Sequence, residues 1–197
     1  MQTHHLDLGC GYAARNPLNQ SLLHGCDLLD ISSIAGGASF EYKKVDLVRE
    51  AIPYPDNFFE SVSAFDFLEH VPRQSVNQDG KPTSPFISLM NEIHRVLLPG
   101  GILIASTPAY PHPEAFQDPT HVNIITEKTH EYFCGDDPYA SRYGFVGRFR
   151  VKRTAFEVQK NIYDQNTSAL KKGLRNLHRR LFKGGLPHLT WELIAEK

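Results

Sequence analysis

Apolar positions along the chain fall into short runs separated by turn-forming residues, and their spacing changes from strand-like to helical and back. Leu6-Asp7-Leu8 is a strand-like run closed by Gly9-Cys10-Gly11. A second run extends from Leu22 to Ile31 and carries its own acids, and Glu41 to Leu47 forms a third. The fourth, Phe58 to Phe67, is rich in β-branched and aromatic residues and is entered from a turn at Pro55-Asp56-Asn57. Between Pro85 and Leu98, the apolar residues Phe86, Leu89, Met90, Ile93, Val96 and Leu97 recur on one helical face, and Pro99-Gly100-Gly101 stops the helix. Ile102 to Ser106 follows as a buried strand, so strand, helix and strand succeed one another as a right-handed crossover in a parallel sheet requires. Phe149 to Gln159 and Leu189 to Ala195 alternate as two closing strands, expected to form an antiparallel pair at one end of the sheet. The predicted class is α/β, doubly wound and mostly parallel, with an antiparallel strand near the carboxyl terminus.

From Thr107 to about Gly147 the periodicity gives way to Pro, His, Asp and Tyr, a stretch long for a connection and so expected to serve function. At 197 residues the chain reads as one domain, 1–197, with an insertion at 107–147. No apolar run approaches the roughly 20 residues needed to span a bilayer. The first residues lead at once into a strand and leave no room for an export signal. Cys10, Cys26 and Cys134 lie far apart without a metal-ligand spacing, so a reducing cytoplasm is the expected location. The net charge of -1 gives no reason to expect a nucleic-acid partner.

Candidate chemistry gathers at the ends of the runs. The first run joins Asp7 to a turn with two glycines, which lets backbone approach a ligand where side chains would clash. Such turns also occur without any ligand, so order and spacing must carry the assignment. The second run supplies Asp27, placed to accept hydrogen bonds from ribose hydroxyls, with Asp30 as the nearby alternative. A pyrophosphate cofactor is disfavoured, because the proline-interrupted segment after Gly11 makes a poor helix amino terminus.

In this order the pieces resemble the class I S-adenosylmethionine-dependent methyltransferase family, a Rossmann-like fold. Leu6 to Gly11 resembles its glycine-rich loop, Gly25-Cys26-Asp27-Leu28 its ribose-binding strand end, and Lys44-Val45-Asp46-Leu47 its adenine-contacting segment. Ile52 to Val62 resembles the lead into strand four, Phe65-Asp66-Phe67-Leu68-Glu69-His70-Val71 its exit, and Glu92 to Gly101 the helix and turn before strand five. The resemblance implies S-adenosylmethionine as cofactor. By it, Asp7 helps hold the methionine end through the loop and Gly9 and Gly11 lie against the ligand. Asp27 holds the ribose, Asp46 and Leu47 meet the adenine, and Phe65 contacts the methionine end by its backbone. Tyr12-Ala13-Ala14 stands where a third glycine is common, and Pro17 follows so soon that the first crossover helix must be short or absent. Glu60 stands where an aspartate is usual.

Methyl transfer is an in-line displacement, so alignment supplies much of the acceleration, with a base where the acceptor must lose a proton. His121 and His70 are the candidate bases, with Asp118 beside His121 in the segment Phe116 to Asn123. Asp118, His121, His112 and His70 offer a divalent metal that orients an acceptor hydroxyl as an alternative, but they match no recognised ligand spacing, so the first expectation is no metal. The polar, aromatic insertion, with Tyr110, His112, His121, Tyr132 and Tyr139, suits a hydroxyl of a small molecule or glycan as acceptor. A non-catalytic, methyltransferase-like binding or scaffold protein is the alternative, since a fold does not guarantee an activity. Leu170, Leu174, Leu177 and Leu181 repeat at helical spacing among Lys171, Lys172, Arg175, Arg179, Arg180 and Lys183. That amphipathic basic helix, 168–182, reads first as a surface helix packed on the sheet and second as a peripheral contact with anionic membrane.

Overall fold

The computed structural model describes residues 2–31, 40–77, 79–163 and 167–197. In chain order it forms β1 (His4–Leu8), β2 (Leu22–Asp27), β3 (Glu41–Lys44), β4 (Phe59–Phe65) and a small hairpin of β5 (Ser75–Val76) and β6 (Pro82–Thr83). Helix α1 (Pro85–Val96) leads into β7 (Leu97–Pro108), followed by α2 (Glu114–Gln117), β8 (Phe149–Glu157), α3 (Gln159–Tyr163), α4 (Ala169–Phe182) and β9 (His188–Ala195). The main sheet has seven strands in the order β3-β2-β1-β4-β7-β9-β8. The strands from β3 to β7 are parallel, and β9 runs antiparallel to both β7 and β8. This is the Rossmann-like α/β architecture with its antiparallel strand near the carboxyl terminus. Strand order reverses between β1 and β4, and ligands of such sheets bind outside the carboxyl ends of the strands at that point.

The elements differ from the sequence expectation mostly at their ends. The second strand ends at Asp27, the strand end read from the sequence, where the Asp27 carboxylate turns the chain by accepting the Leu29 N–H at 3.0 Å. The third stops at Lys44, because Asp46 accepts the backbone N–H of Arg49 and Glu50 and forms a turn. Between Gly9 and Ser21 the first crossover contains no helix, as Pro17 foretold. There Asn16 closes a loop by bonding both the N–H and the carbonyl of Gln20. Helix α1 takes Pro85 at its first position, where no N–H is needed, and buries Phe86, Leu89, Met90, Ile93 and Val96. At its end Arg95 bonds Glu92 and Asp56 and the carbonyls of Ile52 and Tyr54, stapling the approach to β4 onto the helix.

The insertion divides in two. Phe133 and Phe145 pack edge-to-face on each other and Phe133 on Phe86, so the later half covers α1 and joins the core. Tyr132 and Tyr139 are exposed in that half and pair with each other, 5.9 Å between centroids. The earlier half, around His121, stays at the sheet edge.

Helix α4 corrects the packed-helix expectation. Asn176 accepts from Asn161 and the Val158 N–H, Arg179 bonds Glu114, and the Lys172 carbonyl accepts from Asn161, so the helix docks on the body by its polar face. The opposite face, with Leu170 76% and Leu181 66% exposed, points outward, and no residue of the helix is buried.

Beneath the switch point lies a buried polar chain. Ser63 donates to Asp7 at 2.5 Å, so it accepts from His5 Nε2 at 2.8 Å, and His5 Nδ1 in turn accepts from Ser61 at 2.7 Å. Neutral His5 is thus fully satisfied, and burial holds its pKa down to about 3. Burial also raises the Asp7 carboxyl to about 6, against the hydrogen bonds it accepts from Ser63 and Arg15. The two groups oppose each other on acidification. Below the ordinary histidine value the unfolded chain gains a proton that folded His5 refuses, so stability falls, while between about 6 and 4 folded Asp7 binds its proton first and stability rises. Replacing His5 with Gln removes only the first effect. The stability advantage of the wild type over His5→Gln, read from urea midpoints, is expected to shrink by about 2 kcal/mol between pH 7 and pH 5. A constant difference across that range would show that His5 is not held neutral.

Candidate functional site

The switch point brings together the turn after β1, the end of β2 and the exit of β4. Gly9 and Gly11 both adopt the left-handed region, φ +64° and +56°, yet for different reasons. A Cβ on Gly9 would lie 2.6 Å from the Phe67 ring, so packing by itself requires a glycine here. A Cβ on Gly11 would meet nothing within 4 Å. The Gly11 N–H donates to Asp27 Oδ2 at 2.8 Å, tying the loop to the end of β2. Each Asp27 oxygen thus accepts one backbone N–H, and a carboxylate offering about four acceptor positions keeps capacity for ribose hydroxyls.

Asp7 is fully buried and accepts the Arg15 N–H at 2.8 Å, bracing the loop from beneath. Asp46 uses its carboxylate on the Val48 N–H and on Arg49, and the Leu47 side chain belongs to the core. Phe65 ends β4 almost fully buried. A cavity of about 1000 Å³ lies elsewhere, between the Leu47–Ala51 segment, the β5–β6 hairpin and α1.

Sequence reasoning missed a second group at the same edge. Asp66, in the left-handed region at φ +51°, accepts hydrogen bonds from His188 at 2.9 Å, Gln159 at 2.8 Å and Tyr163. Burial works against its charge, but these donors outweigh it and hold the carboxyl below its ordinary range. The Arg15 guanidinium lies 4.4 Å over the Tyr163 ring and 5.6 Å from the Phe65 centroid. An acid directly after a buried strand was the visible signal for Asp66, but its partners stand on β9 and α3, far along the chain.

Two of the three catalytic candidates meet. The turn at Leu68–His70 follows β4, and its Glu69 carbonyl accepts the N–H of both Val122 and Asn123 at 2.9 Å. Buried Asn123 adds bonds to the Leu68 carbonyl and Arg73, which stitches the insertion to the exit of β4. The His70 and His121 rings consequently pack edge-to-face, 4.9 Å between centroids. His121 Nδ1 faces the Ala115 carbonyl at 3.2 Å, and His70 Nδ1 faces the Thr120 carbonyl at 3.2 Å. A carbonyl only accepts, so each ring carries its proton on Nδ1 and leaves a lone pair on Nε2. Asp118 bonds the Thr120 N–H and hydroxyl, which hold its carboxyl below the ordinary range, and comes no nearer than 4.0 Å to His121 Nε2. It positions the loop. His112 lies outside the group and accepts the Glu114 N–H.

Glu69, which sequence reasoning did not single out, is 1% exposed, and both of its carboxyl oxygens are buried without a hydrogen-bond partner of ordinary geometry. The nearby Thr107 hydroxyl donates instead to the Pro108 carbonyl. Burial pushes the Glu69 carboxyl up to about 8. Buried polar groups are ordinarily satisfied, so an unpaired carboxyl beside two imidazoles marks a site.

The donor set fits a sulfonium cofactor bearing ribose hydroxyls and no phosphate: an open glycine cradle at Gly11, an acid ending β2, and no helix amino terminus after β1. The family described as a methyltransferase domain matches residues 6–105 of the chain. No curated protein matches it. Among solved structures, an S-adenosylmethionine-dependent methyltransferase from Mesorhizobium loti is similar at 16% identity over 98% of this chain and 91% of that one, with a TM-score of 0.58. A SAM-dependent methyltransferase from Archaeoglobus fulgidus is 16% identical over 100% of this chain and 86% of that one, TM-score 0.55. A structure described as the 4+2 cyclase SpnF is 17% identical over 99% and 75%, TM-score 0.57, so likeness at this level speaks for the fold and not for the reaction. With its strand order, its glycine cradle and the match over residues 6–105, the chain belongs to the methyltransferase-domain family as a class I S-adenosylmethionine-dependent enzyme.

Proposed function

We propose that the chain methylates a hydroxyl of a small molecule or glycan, and that the acceptor oxygen is delivered to the His70–His121 pair. The observation that carries this reading is the pair itself, with both Nδ1 protons engaged by carbonyls and both Nε2 lone pairs left over, at the exit of β4. Bound at Gly11 and Asp27, S-adenosylmethionine supplies a methyl group on a cationic sulfur. A hydroxyl is a weak nucleophile until its proton is drawn off, and a lone pair fixed by its own ring's hydrogen bond suits that task. The stitched contact between Glu69 and Val122–Asn123 keeps these groups in register with the crevice. Incubating a cell extract with the protein and methyl-labelled cofactor should place the label in an ether, identified by mass spectrometry. Label confined to amines or carbon would overturn the hydroxyl reading. We propose the cytoplasm as the place of the reaction, a reading that three free cysteines support.

The same reading extends to where the acceptor resides. An outward leucine face on α4, bordered by Lys171 and Arg180, complements an anionic membrane surface, where the leucines enter the acyl boundary and the cations meet headgroups. Phosphatidylserine vesicles are expected to sediment the protein at low salt and release it as salt rises, with neutral vesicles recovering none. Equal recovery in the supernatant with both vesicle types would reduce α4 to a surface ornament of the fold.

A further inference from the structure

We infer that Glu69, His70 and His121 form a binding site for a divalent transition-metal ion of borderline softness, such as Zn²⁺, Fe²⁺ or Co²⁺. One donor atom from each residue lies within 4.8 Å of the other two, within reach of a common ion by small side-chain rotations. Two features beyond proximity point to an ion. Metal-ligating imidazoles give their other N–H to a carbonyl or carboxylate, and both rings here do so, His70 to Thr120 and His121 to Ala115. Neither oxygen of buried Glu69 has a hydrogen-bond partner of ordinary geometry, and a cation is a partner that these oxygens and the two lone pairs could share.

Two imidazoles and one carboxylate are a known ligand set for zinc and for iron(II) that leaves open positions, whereas magnesium and calcium require oxygen donors. The sequence offered a metal only as the lesser alternative and grouped His70 and His121 with His112 and Asp118, neither of which joins the cluster among the described residues. With an ion bound, the two Nε2 lone pairs would be ligands in place of bases, and an acceptor hydroxyl at an open position would lose its proton to water more readily once coordinated. That role rests on the hydroxyl reading proposed above; the binding of the ion does not.

The full chain, stripped with EDTA and titrated with Co²⁺, is expected to bind a single equivalent by calorimetry and to develop visible d–d bands. Zn²⁺ should displace the bands, while Mg²⁺ in large excess should not. Glu69→Gln and His121→Ala are each expected to weaken Co²⁺ binding by at least about 10-fold, and His112→Ala should leave it unchanged. Circular dichroism checks that each variant is folded, and His70→Gln probes the same site from its more exposed side should Glu69→Gln fail to fold. Absence of binding at about 1 mM Co²⁺, or bands that persist in both His70→Gln and His121→Ala, would overturn the site. Titration of the stripped protein with S-adenosylmethionine separates the two failures. Cofactor binding without cobalt binding sinks the ion and leaves methyl transfer standing, whereas cobalt binding with label found on nitrogen sinks the hydroxyl reading alone.

Discussion

Replacing His121 with alanine is expected to leave S-adenosylmethionine affinity unchanged while lowering turnover by roughly 100-fold to 10,000-fold. The separation follows from position. His121 reaches the exit of β4 from the insertion, held by the Glu69 carbonyl, and it touches neither the Gly11 loop nor Asp27. Removal of its ring takes away one Nε2 lone pair and the edge-to-face contact with His70, but no bond in the loop that Asp7 and Asp27 brace. Calorimetry with the cofactor and single-turnover transfer to an identified acceptor measure the two halves separately. Turnover within a few fold of wild type would move the acceptor away from the pair, and the Asp66–His188 group would become the place to look. Loss of cofactor affinity together with turnover would mean that the insertion folds over the methionine end, undoing the division of the site.

The second large effect belongs to the glycine loop, where two neighbouring glycines make opposite predictions. Gly11→Val should abolish measurable cofactor binding, a loss of at least about 100-fold, because its side chain would project into the open space beside the loop where the cofactor is expected to lie. The cost to the fold should stay near 1 to 2 kcal/mol, the penalty of a left-handed backbone for a residue with a Cβ. Gly9→Val carries the same backbone penalty and also drives a methyl-bearing carbon into the Phe67 ring at 2.6 Å, so its main effect should be a large drop in thermal midpoint. Normal cofactor affinity in folded Gly11→Val would remove the loop from the binding site. Equal destabilisation by the two substitutions would show that Gly11 too is a packing residue.

Much of the architecture could be read from the chain because local pattern and topology agree. The helical stripe from Phe86 to Val96 and the buried runs around Leu6, Val62 and Leu103 each have one way to hide their apolar faces. A strand, helix, strand succession then leaves a parallel sheet as the ready solution. The glycine loop and Asp27 were legible for the same reason, since they sit at strand ends that the pattern already locates. Strand ends were less legible. Leu97 completes the helical stripe on paper, but its backbone turns extended at ψ 143° and it opens β7, because pairing with Phe59 outweighs one more helical residue.

What a side chain does within the site was decided elsewhere. Gly9 and Gly11 look alike in sequence, and only Phe67, arriving from beyond β4, tells them apart. Helix α4 was recognised as amphipathic, but which face docks depended on Asn161 and Glu114, whose polar bonds turn the leucines outward. Glu69 reads as a surface acid until β7 and the insertion close around it and withdraw water from its carboxylate. His70 and His121, Asp66 and His188 are each brought together across long separations. The chain by itself thus determined the order of elements and the strand ends where a cofactor can lie, since those depend on local periodicity and connection rules. Tertiary structure alone decided which polar groups meet there and which are left unpaired, since burial and long-range hydrogen bonding exist only once the sheet and the insertion have closed on each other.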